Sequence, residues 1–260
     1  MIKLDIMSDP ICPWCYIGKT HLEKALADHP DHPFTVEWHP FQLNPDMPAE
    51  GMDRRLYLER KFGSKEAAVK VYSQIEQTAQ ALGLPIDFAA MKRTPNTIDA
   101  HRLIHWAGLE EKQNVVVDAL FQAYFCMGID IGNREALCDI AEVIGLERDV
   151  IARLLASDAD RAMIQERDAH SRKMGVNAVP TFIIANQHAV PGAQPPEVWS
   201  SIISELQGQL TKPYALRFPS AATSAARSLA MAKAPLILSD VRLQSRLTTT
   251  LLSRILARPR

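Results

Sequence analysis

Residues 12–15 are Cys-Pro-Trp-Cys, and they stand between a short strand pattern and a helix pattern. The strand pattern covers residues 2–7, and the helix pattern begins near Pro13 and continues to Leu26. A proline in the first helical turn loses no hydrogen bond, because its missing N–H would have no partner there. We therefore predict that the two cysteines lie at the N-terminus of the first helix.

A thiol at a helix N-terminus faces unpaired backbone N–H groups and the positive end of the helix dipole. Both features favour the thiolate, which is the reactive form. We expect Cys12, the more exposed of the two, to be the nucleophile and Cys15 to resolve the mixed disulfide. Pro13 and Trp14 influence the redox poise, and we expect Trp14 to lie at the rim of the site.

Two structural interpretations of the cysteine pair remain open. Half of a zinc site would need two more ligands, and the other cysteines, Cys126 and Cys138, have eleven residues between them in a helical region. We predict that these two are core residues, because free cysteine is among the most buried residue types. The pair at residues 12–15 could otherwise be two inert buried thiols.

The composition is that of an ordinary water-soluble protein. The 260 residues are 47% hydrophobic and 23% charged, with a net charge of −1, so nothing global indicates nucleic-acid binding. Four cysteines do not make a disulfide scaffold, and no apolar run approaches the roughly 20 residues that span a bilayer. The first residues carry one lysine and no long apolar stretch, so we expect a cytoplasmic protein.

The order of secondary-structure patterns predicts the fold. Residues 1–45 show strand, helix and strand, which is a βαβ unit with a parallel pair and a right-handed crossover. Residues 46–175 show almost only helix patterns, and residues 176–212 show a hairpin followed by a helix. We therefore predict an α/β protein with a thioredoxin-like core (βαβ…ββα) that is interrupted by a large all-helical insertion.

The individual elements are predicted from caps and breakers. Strand patterns at residues 181–184 and 188–190 form a hairpin around Asn186-Gln187, and a last helix covers residues 195–210. The insertion is predicted to contain six or seven helices, at residues 53–62, 64–82, 97–106, 110–127, 133–144, 147–155 and 157–174.

The C-terminal segment, residues 213–260, differs from the rest in charge. It has eight Lys or Arg and one acidic residue, so its net charge is +7, which leaves −8 for residues 1–212. A basic amphipathic helix there would suit an anionic membrane surface or a groove on a partner protein. A weakly ordered extension outside the fold is the simpler interpretation, and we expect it to be dispensable for catalysis.

A second feature is Val179-Pro180, directly before the strand pattern at residues 181–184. Proline cannot donate to a sheet and is well placed at the first residue of a strand. Alternatively, the Val179–Pro180 bond is cis and lies beside the dithiol, with the Val179 backbone free to pair with a substrate peptide. The residues themselves leave both interpretations open, because most X–Pro bonds are trans.

Two segments resemble the DsbA-like family: residues 8–18 (SDPICPWCYIG) and residues 175–182 (GVNAVPTF). Within that family, the chain is similar to the FrnE-type branch of cytoplasmic dithiol–disulfide oxidoreductases. Residues 38–45, 94–102 and 192–196 also fit this branch, and the resemblance covers about residues 1–210.

The resemblance implies a thioredoxin fold with a helical insertion and disulfide exchange or isomerisation on protein or small-molecule thiols. It implies no metal and no cofactor beyond the redox-active disulfide, with glutathione as a candidate co-substrate. Asn96 and His101 recur in the family, although Asn96-Thr97 also suits a helix N-cap. The implied catalytic residues are Cys12 and Cys15, and the implied substrate-binding residues are Pro180 (with a cis bond), Val179, Trp14, Pro13, Asn96, His101 and Gln42.

The chain departs from the family pattern at Ile6. Many DsbA proteins carry a buried acid six residues before the nucleophile, which manages the proton of the resolving thiol, and Ile6 occupies that position here. Asp5 should point to the opposite face of the strand from Ile6. Asp9 is also near in sequence, so the proton route stays open.

Two other functions are weighed against disulfide exchange. Kappa-class glutathione transferases and 2-hydroxychromene-2-carboxylate isomerases border this branch but use a serine where Cys12 stands, and the presence of two cysteines argues against them. A non-catalytic interaction module is supported only by the basic C-terminal segment. The sequence leaves the natural substrate and the oligomeric state, including a homodimer, open.

Overall fold

The computed structural model describes residues 1–211. The elements in chain order are β1 (Ile2–Ser8), α1 (Pro13–Asp28), β2 (Phe34–Pro40), β3 (Met52–Asp53), α2 (Arg54–Phe62), α3 (Lys65–Ala81), β4 (Arg93–Thr94), α4 (Ile98–Leu109), α5 (Gln113–Phe121), a π-helix (Gln122–Cys126), α6 (Arg134–Val143), α7 (Arg148–Ala156), α8 (Arg161–Lys173), β5 (Thr181–Ile184), β6 (His188–Pro191) and α9 (Pro196–Thr211).

The central sheet has the strand order β2-β1-β5-β6. Strand β1 is parallel to β2 and antiparallel to β5, and β6 is antiparallel to β5. Helix α1 connects the parallel pair, and α9 packs against α1. The rings of Phe182 in β5 and Trp199 in α9 meet edge to face, with centroids 4.7 Å apart. The predicted thioredoxin-like core is therefore confirmed.

The chain leaves this sheet after β2 and returns at β5, and the segment between them is mostly helical. Two of its helices begin where the caps predict. The Ser64 side chain accepts a hydrogen bond from the Ala67 N–H at the start of α3, and Asn133 accepts one from Ala136 at the start of α6. The predicted helical insertion is confirmed in character.

Three local expectations for the insertion are wrong, and the first two concern β3, β4 and α5. Strands β3 and β4 form a two-residue antiparallel pair, which is too short to leave a pattern in the sequence. The helix expected at residues 110–127 begins only at Gln113, because Glu111 has a positive φ of 57°. It changes to the π-helix at Gln122, where the Met127 N–H donates to the Gln122 carbonyl oxygen.

The helix expected from residue 157 begins at Arg161, because Asp160 adopts a left-handed φ of 57°. Two side chains of α4 hold the preceding turn. The Trp106 indole N–H donates to Asp160 Oδ2 at 2.8 Å, and the Arg102 guanidinium donates to carbonyl oxygens of residues 154, 157 and 159. Contacts from a distant helix therefore override the local helix pattern.

The β5–β6 turn is shifted by one residue from the prediction. Its central residues are Ala185 and Asn186, with φ values of 53° and 56°, and the Gln187 N–H donates to the Ile184 carbonyl oxygen. Positive φ at both central positions is the geometry that hairpins favour. Asn at the second position tolerates it more readily than Ala at the first.

The basic segment at residues 213–260, with its predicted membrane or partner contact, lies outside the described residues. Within residues 1–211, every helix is too short or too polar to cross a bilayer.

Candidate functional site

The two cysteines occupy the predicted place at the start of α1. Cys12 is the N-cap residue, and its carbonyl oxygen accepts hydrogen bonds from the Cys15 and Tyr16 N–H groups at 3.0 and 3.3 Å. Both thiols are free. The expected difference in exposure is small, because Cys12 is 4% exposed and Cys15 is 1% exposed.

The segment before β5 brings Val179 and Pro180 to the dithiol. The Val179–Pro180 bond is cis, and Pro180 immediately precedes the first residue of β5. The Cys12 thiol donates to the Val179 carbonyl oxygen, with 3.5 Å between Sγ and O. The Pro180 carbonyl oxygen accepts from the Gly192 N–H at 2.8 Å, which fixes this loop against the next one. The Val179 carbonyl is therefore occupied by the thiol rather than free.

Gly18 is a site residue that the sequence reasoning missed. A Cβ atom built on it would lie 2.9 Å from Pro180 Cγ and 3.3 Å from Ala193 Cα, so only glycine lets α1 approach the proline loop this closely. The His21 ring also contacts that region, with 3.0 Å between Nδ1 and the Gln194 carbonyl oxygen. The available signal was a glycine inside a helix pattern, where it is otherwise unfavourable.

The aromatic residues of the motif pack inward. Trp14 is partly buried against the core, and its position at the rim of the site stays a prediction. The Tyr16 ring stacks on Phe121 at 5.1 Å between centroids, and its hydroxyl lies 3.9 Å from the Sγ of Cys126. Cys126 is half-buried, whereas Cys138 is buried, as predicted for a core residue.

Cys15 is held as a thiol by its surroundings. Burial raises its pKa well above the usual value, and the neighbouring Cys12 raises it further as a hydrogen-bond partner and through its charge. The Ser8 hydroxyl and the Asp9 backbone N–H contact Cys15 and oppose this rise. A buried thiol of this kind needs a nearby proton acceptor in order to become a nucleophile.

Gln42 and Asn96 form a polar cluster with α4. Gln42 Nε2 lies 3.3 Å from Asn96 Oδ1 and 3.4 Å from Thr97 Oγ1, and both oxygens accept its hydrogen bonds. Asn96 Oδ1 also accepts from the Ile98 N–H, and Asn96 Nδ2 donates to the Met47 carbonyl oxygen. These side chains are bonded within the protein, and their role in binding glutathione stays a prediction.

Asp9 is a fully buried acid beside the dithiol. Its carboxylate accepts from the Leu43 N–H at 2.6 Å and from the Ile11 N–H at 3.3 Å, and its carbonyl oxygen accepts from the Cys12 N–H at 2.9 Å. Burial raises the pKa of Asp9 to about 7, against the opposing effect of these N–H groups and of the Thr97 hydroxyl. An acid is thus present near the thiols although Ile6 occupies the family position.

His101 lies behind Asp9 rather than in an open cleft. The ring is 3% exposed, and its Nε2 is 3.9 Å from Asp9 Oδ1 without a hydrogen-bond partner. Burial lowers the pKa of His101 to about 4, partly offset by Asp168 and by a hydrogen bond to the Phe41 backbone. At neutral pH the ring is therefore uncharged, so the two residues do not form an ion pair.

Residues 3–204 match the model of a protein family described as "DSBA-like thioredoxin domain". The chain belongs to this family. The match begins in β1, includes the other five strands and the first nine residues of α9, and ends before the basic C-terminal segment. It confirms the DsbA-like resemblance, while the assignment to the FrnE-type branch remains an inference.

Many solved structures are similar to this chain, and three of them illustrate the range. A probable DsbA oxidoreductase from Streptomyces coelicolor is 28% identical, with a TM-score of 0.73, over 86% of this chain and 95% of that one. A 2-hydroxychromene-2-carboxylate isomerase is 19% identical, with a TM-score of 0.62, over 80% and 98%. The cytosolic disulfide reductase DsbM from Pseudomonas aeruginosa with GSH is 16% identical, with a TM-score of 0.57, over 80% and 98%. The last two show the fold alone.

Proposed function

We propose that the protein is a thiol–disulfide oxidoreductase whose Cys12–Cys15 pair alternates between dithiol and disulfide. One observation carries this proposal: Cys12 is the N-cap residue of α1, and its thiol sulfur lies 3.5 Å from the carbonyl oxygen of Val179, before a cis proline. Cys15 lies one turn behind it, buried and protonated. A nucleophile, a resolving thiol and a peptide segment beside them are the parts that disulfide exchange needs.

The reaction balances as follows. The Cys12 thiolate attacks a substrate disulfide, forms a mixed disulfide and releases the first substrate thiolate. Cys15 then loses its proton and attacks the Cys12 sulfur, which forms the Cys12–Cys15 disulfide and releases the second thiolate. Two electrons pass from the dithiol to the substrate, and each released thiolate takes up one proton. The reverse sequence oxidises a substrate dithiol.

The finer assignment is to the cytoplasmic FrnE-type branch, with protein thiols or small thiols as substrates. The motif segments at residues 8–18 and 175–182 support this assignment. Glutathione is the small thiol that we propose as co-substrate, and Gln42 and Asn96, near the start of α4, would exchange internal hydrogen bonds for contacts with it. Pro13 and Trp14, the two residues between the cysteines, help to set the reduction potential of the Cys12–Cys15 couple.

The test is insulin reduction by dithiothreitol with the full chain, followed by turbidity. The wild type should shorten the lag, and Cys12→Ser should lower the rate to that of dithiothreitol alone. Cys15→Ser should accumulate the mixed disulfide, detectable by mass spectrometry. Cys138→Ser is the matched control, because this buried thiol lies outside the site, and its rate should stay within about two-fold of wild type.

An unaffected Cys12→Ser rate contradicts the proposal. If glutathione-dependent isomerisation of a chromene carboxylate survives in Cys15→Ser while insulin reduction is absent, the isomerase or transferase function is correct instead. If the wild type performs neither reaction, a non-catalytic interaction module is the better description.

A further inference from the structure

The proton of Cys15 has no acceptor at Ile6, and the structure offers another. We propose that Asp9 and His101 together hold one exchangeable proton beneath the dithiol, and that Cys15 ionises as this pair takes up its proton. The inference rests on the proposed disulfide exchange and names the residues that make its resolving step work. Asp9 is the proton acceptor, and His101 is a positioning residue that acts through Asp9.

The hydrogen bonds of His101 fix the state of its ring. The Phe41 backbone is the hydrogen-bond partner that raises the pKa of His101, and we assign this bond to Nδ1, because Nε2 has no hydrogen-bond partner. Nε2 therefore carries the lone pair of a neutral imidazole. This lone pair faces Asp9 Oδ1 at 3.9 Å.

When Asp9 is ionised, Asp9 Oδ1 and His101 Nε2 are both hydrogen-bond acceptors, so neither atom can donate a hydrogen bond to the other. A proton on Asp9 Oδ1 changes this, because the carboxylic acid can then donate to His101 Nε2. Asp9 is fully buried and His101 is 3% exposed, so bulk water does not satisfy the nitrogen instead. An unpartnered buried acceptor thus stabilises the protonated form of Asp9. Burial is the main cause that raises the pKa of Asp9 to about 7, and the Asp168 charge acts in the same direction.

Asp9 is also in contact with Cys15. Its backbone N–H is one of the two hydrogen-bond donors at the Cys15 sulfur, and the Ser8 hydroxyl is the other. Cys15 and Asp9 are both almost completely inaccessible to solvent. Two negative charges in one buried space disfavour each other strongly. Ionisation of Cys15 therefore favours uptake of a proton by Asp9, and the two titrations are linked.

The other charged groups near Asp9 and His101 do not take over the role of the proton that these two residues share. Asp168 raises the pKa of both residues, but it is itself paired with Arg172, with 2.8 Å between Nε and Oδ2. Arg167 lowers the pKa of His101 and is bonded to Glu37. The titratable and charged groups near the pair are Cys12 at the N-cap of α1, Cys15 in α1, Tyr124 in the π-helix, and Arg167 and Asp168 in α8, with Arg172 paired to Asp168.

The step balances in protons and electrons. In the mixed disulfide, Cys15 is a thiol and Asp9 is a carboxylate. The proton moves from Cys15 to Asp9, the Cys15 thiolate attacks Cys12, and the substrate thiolate leaves. The protonated Asp9, bonded to His101 Nε2, then returns its proton to the leaving thiolate or to solvent. No further oxidant or reductant is needed.

The test measures formation of the Cys12–Cys15 disulfide in the reduced full chain after mixing with oxidised glutathione, by acid quench and mass spectrometry between pH 5 and 9. The wild-type rate of the resolving step should rise with pH and level off near the pKa of Asp9, about 7. His101→Asn keeps a donor for the Phe41 carbonyl but removes Nε2. In this variant, the pH at which the rate levels off should be lower by about one unit. The plateau should fall by up to about ten-fold, because the base is weaker.

His105→Asn is the matched control, since it changes a half-buried histidine one turn further along α4. Its profile should coincide with that of the wild type. A break at the same pH in the wild type and in His101→Asn overturns the inference. If the wild type forms no Cys12–Cys15 disulfide at any pH, the proposed function fails instead, which is a different result.

A measurement on the wild type covers the case in which His101→Asn does not fold. The ¹⁵N chemical shift of His101 Nε2 should change as Asp9 titrates near pH 7, because Nε2 then gains a hydrogen bond from the acid. The ring itself should not become charged until about pH 4. An Nε2 resonance that stays constant from pH 5 to 9 overturns the inference.

Discussion

Two aspartate–histidine pairs lie close to strand β1, and they differ in almost every contact. Asp5 and His39 are hydrogen-bonded, with 2.6 Å between Oδ1 and Nε2. Asp9 and His101 are 3.9 Å apart at the corresponding atoms and share no hydrogen bond. Both aspartates are buried, so burial alone does not explain the difference.

The surrounding cations explain it. Lys3 Nζ lies 2.9 Å from Asp5 and 2.9 Å from Glu37, and Arg167 donates to Glu37 and to His39 Nδ1. Two carboxylates there meet two cations, and both nitrogens of His39 are used. Asp9 has only neutral donors, and His101 has one unused nitrogen. A saturated pair stabilises the fold, whereas an unsaturated buried pair is free to gain and lose a proton.

The largest expected effect compares Asp9→Asn with Asp5→Asn at pH 7. The amide of Asp9→Asn cannot accept a proton, so the resolving step should slow by about 10²-fold, as for the loss of a general base. Asp5→Asn should stay within about two-fold, because Asp5 is bound to Lys3 and His39 rather than to the dithiol. The measurement is the quenched-flow rate of Cys12–Cys15 disulfide formation.

Both oxygens of Asp9 accept backbone N–H groups, so the folded state of Asp9→Asn is verified by circular dichroism before its rate is interpreted. Equal rates for the two variants would mean that the contrast between the pairs has no bearing on the chemistry.

The second effect concerns stability as a function of pH. The pKa of Asp9 is raised in the folded state from 3.8 to about 7, so its contribution to stability is full below pH 3.8 and is lost as the pH rises to 7. The pKa of His101 is lowered from 6.5 to about 4, so its contribution is full above pH 6.5 and is lost as the pH falls to 4. Between pH 4 and 6.5, the stability that Asp9 loses as the pH rises is offset by the stability that His101 gains.

Without His101, the decrease in the free energy of unfolding that Asp9 causes as the pH rises should therefore become visible. In His101→Asn, the free energy of unfolding should fall by about 2–3 kcal/mol more than in the wild type between pH 4 and 6.5, because a tenfold change in proton affinity corresponds to about 1.36 kcal/mol. Urea unfolding at half-unit pH steps measures this. His105→Asn serves again as the control, and parallel curves for the wild type and His101→Asn would show that the two groups do not titrate as described.

The sequence predicts those parts of the site that follow local rules. Cys12 lies at a helix start because a strand pattern, Pro13 and a helix pattern are adjacent in the chain. Ser64 caps α3 for the same kind of reason, because a hydroxyl can accept an N–H three residues ahead. The βαβ and hairpin patterns likewise suffice for the core.

The remaining features depend on contacts between distant segments. Asp9 is recognisable in the sequence as an acid near the thiols, but its pKa depends on burial and on contacts from the distant residues Leu43, Thr97 and Asp168. The unused nitrogen of His101 depends on the position of the Phe41 carbonyl. The start of α8 at Arg161 depends on Trp106, and the need for glycine at position 18 depends on Pro180. No local pattern carries such information.

The smallest expected effect tests the saturated pair with a metal ion. Among residues 1–211, Asp5, Glu37 and His39 are the group whose potential ligand atoms lie within 4.8 Å of one another. Lys3 and Arg167 already neutralise these carboxylates, so a divalent cation would have to displace them.

Adding Zn²⁺ to the Cys12→Ser/Cys15→Ser chain, which removes thiol ligands at the active site, should change the midpoint of thermal unfolding by less than about 1 °C. A cation present at 100 times its dissociation constant would stabilise by about 2.7 kcal/mol and raise the midpoint by roughly 5 °C or more. A rise of that size that is lost in His39→Asn would show that the Asp5–His39 pair is a ligand site rather than a closed network.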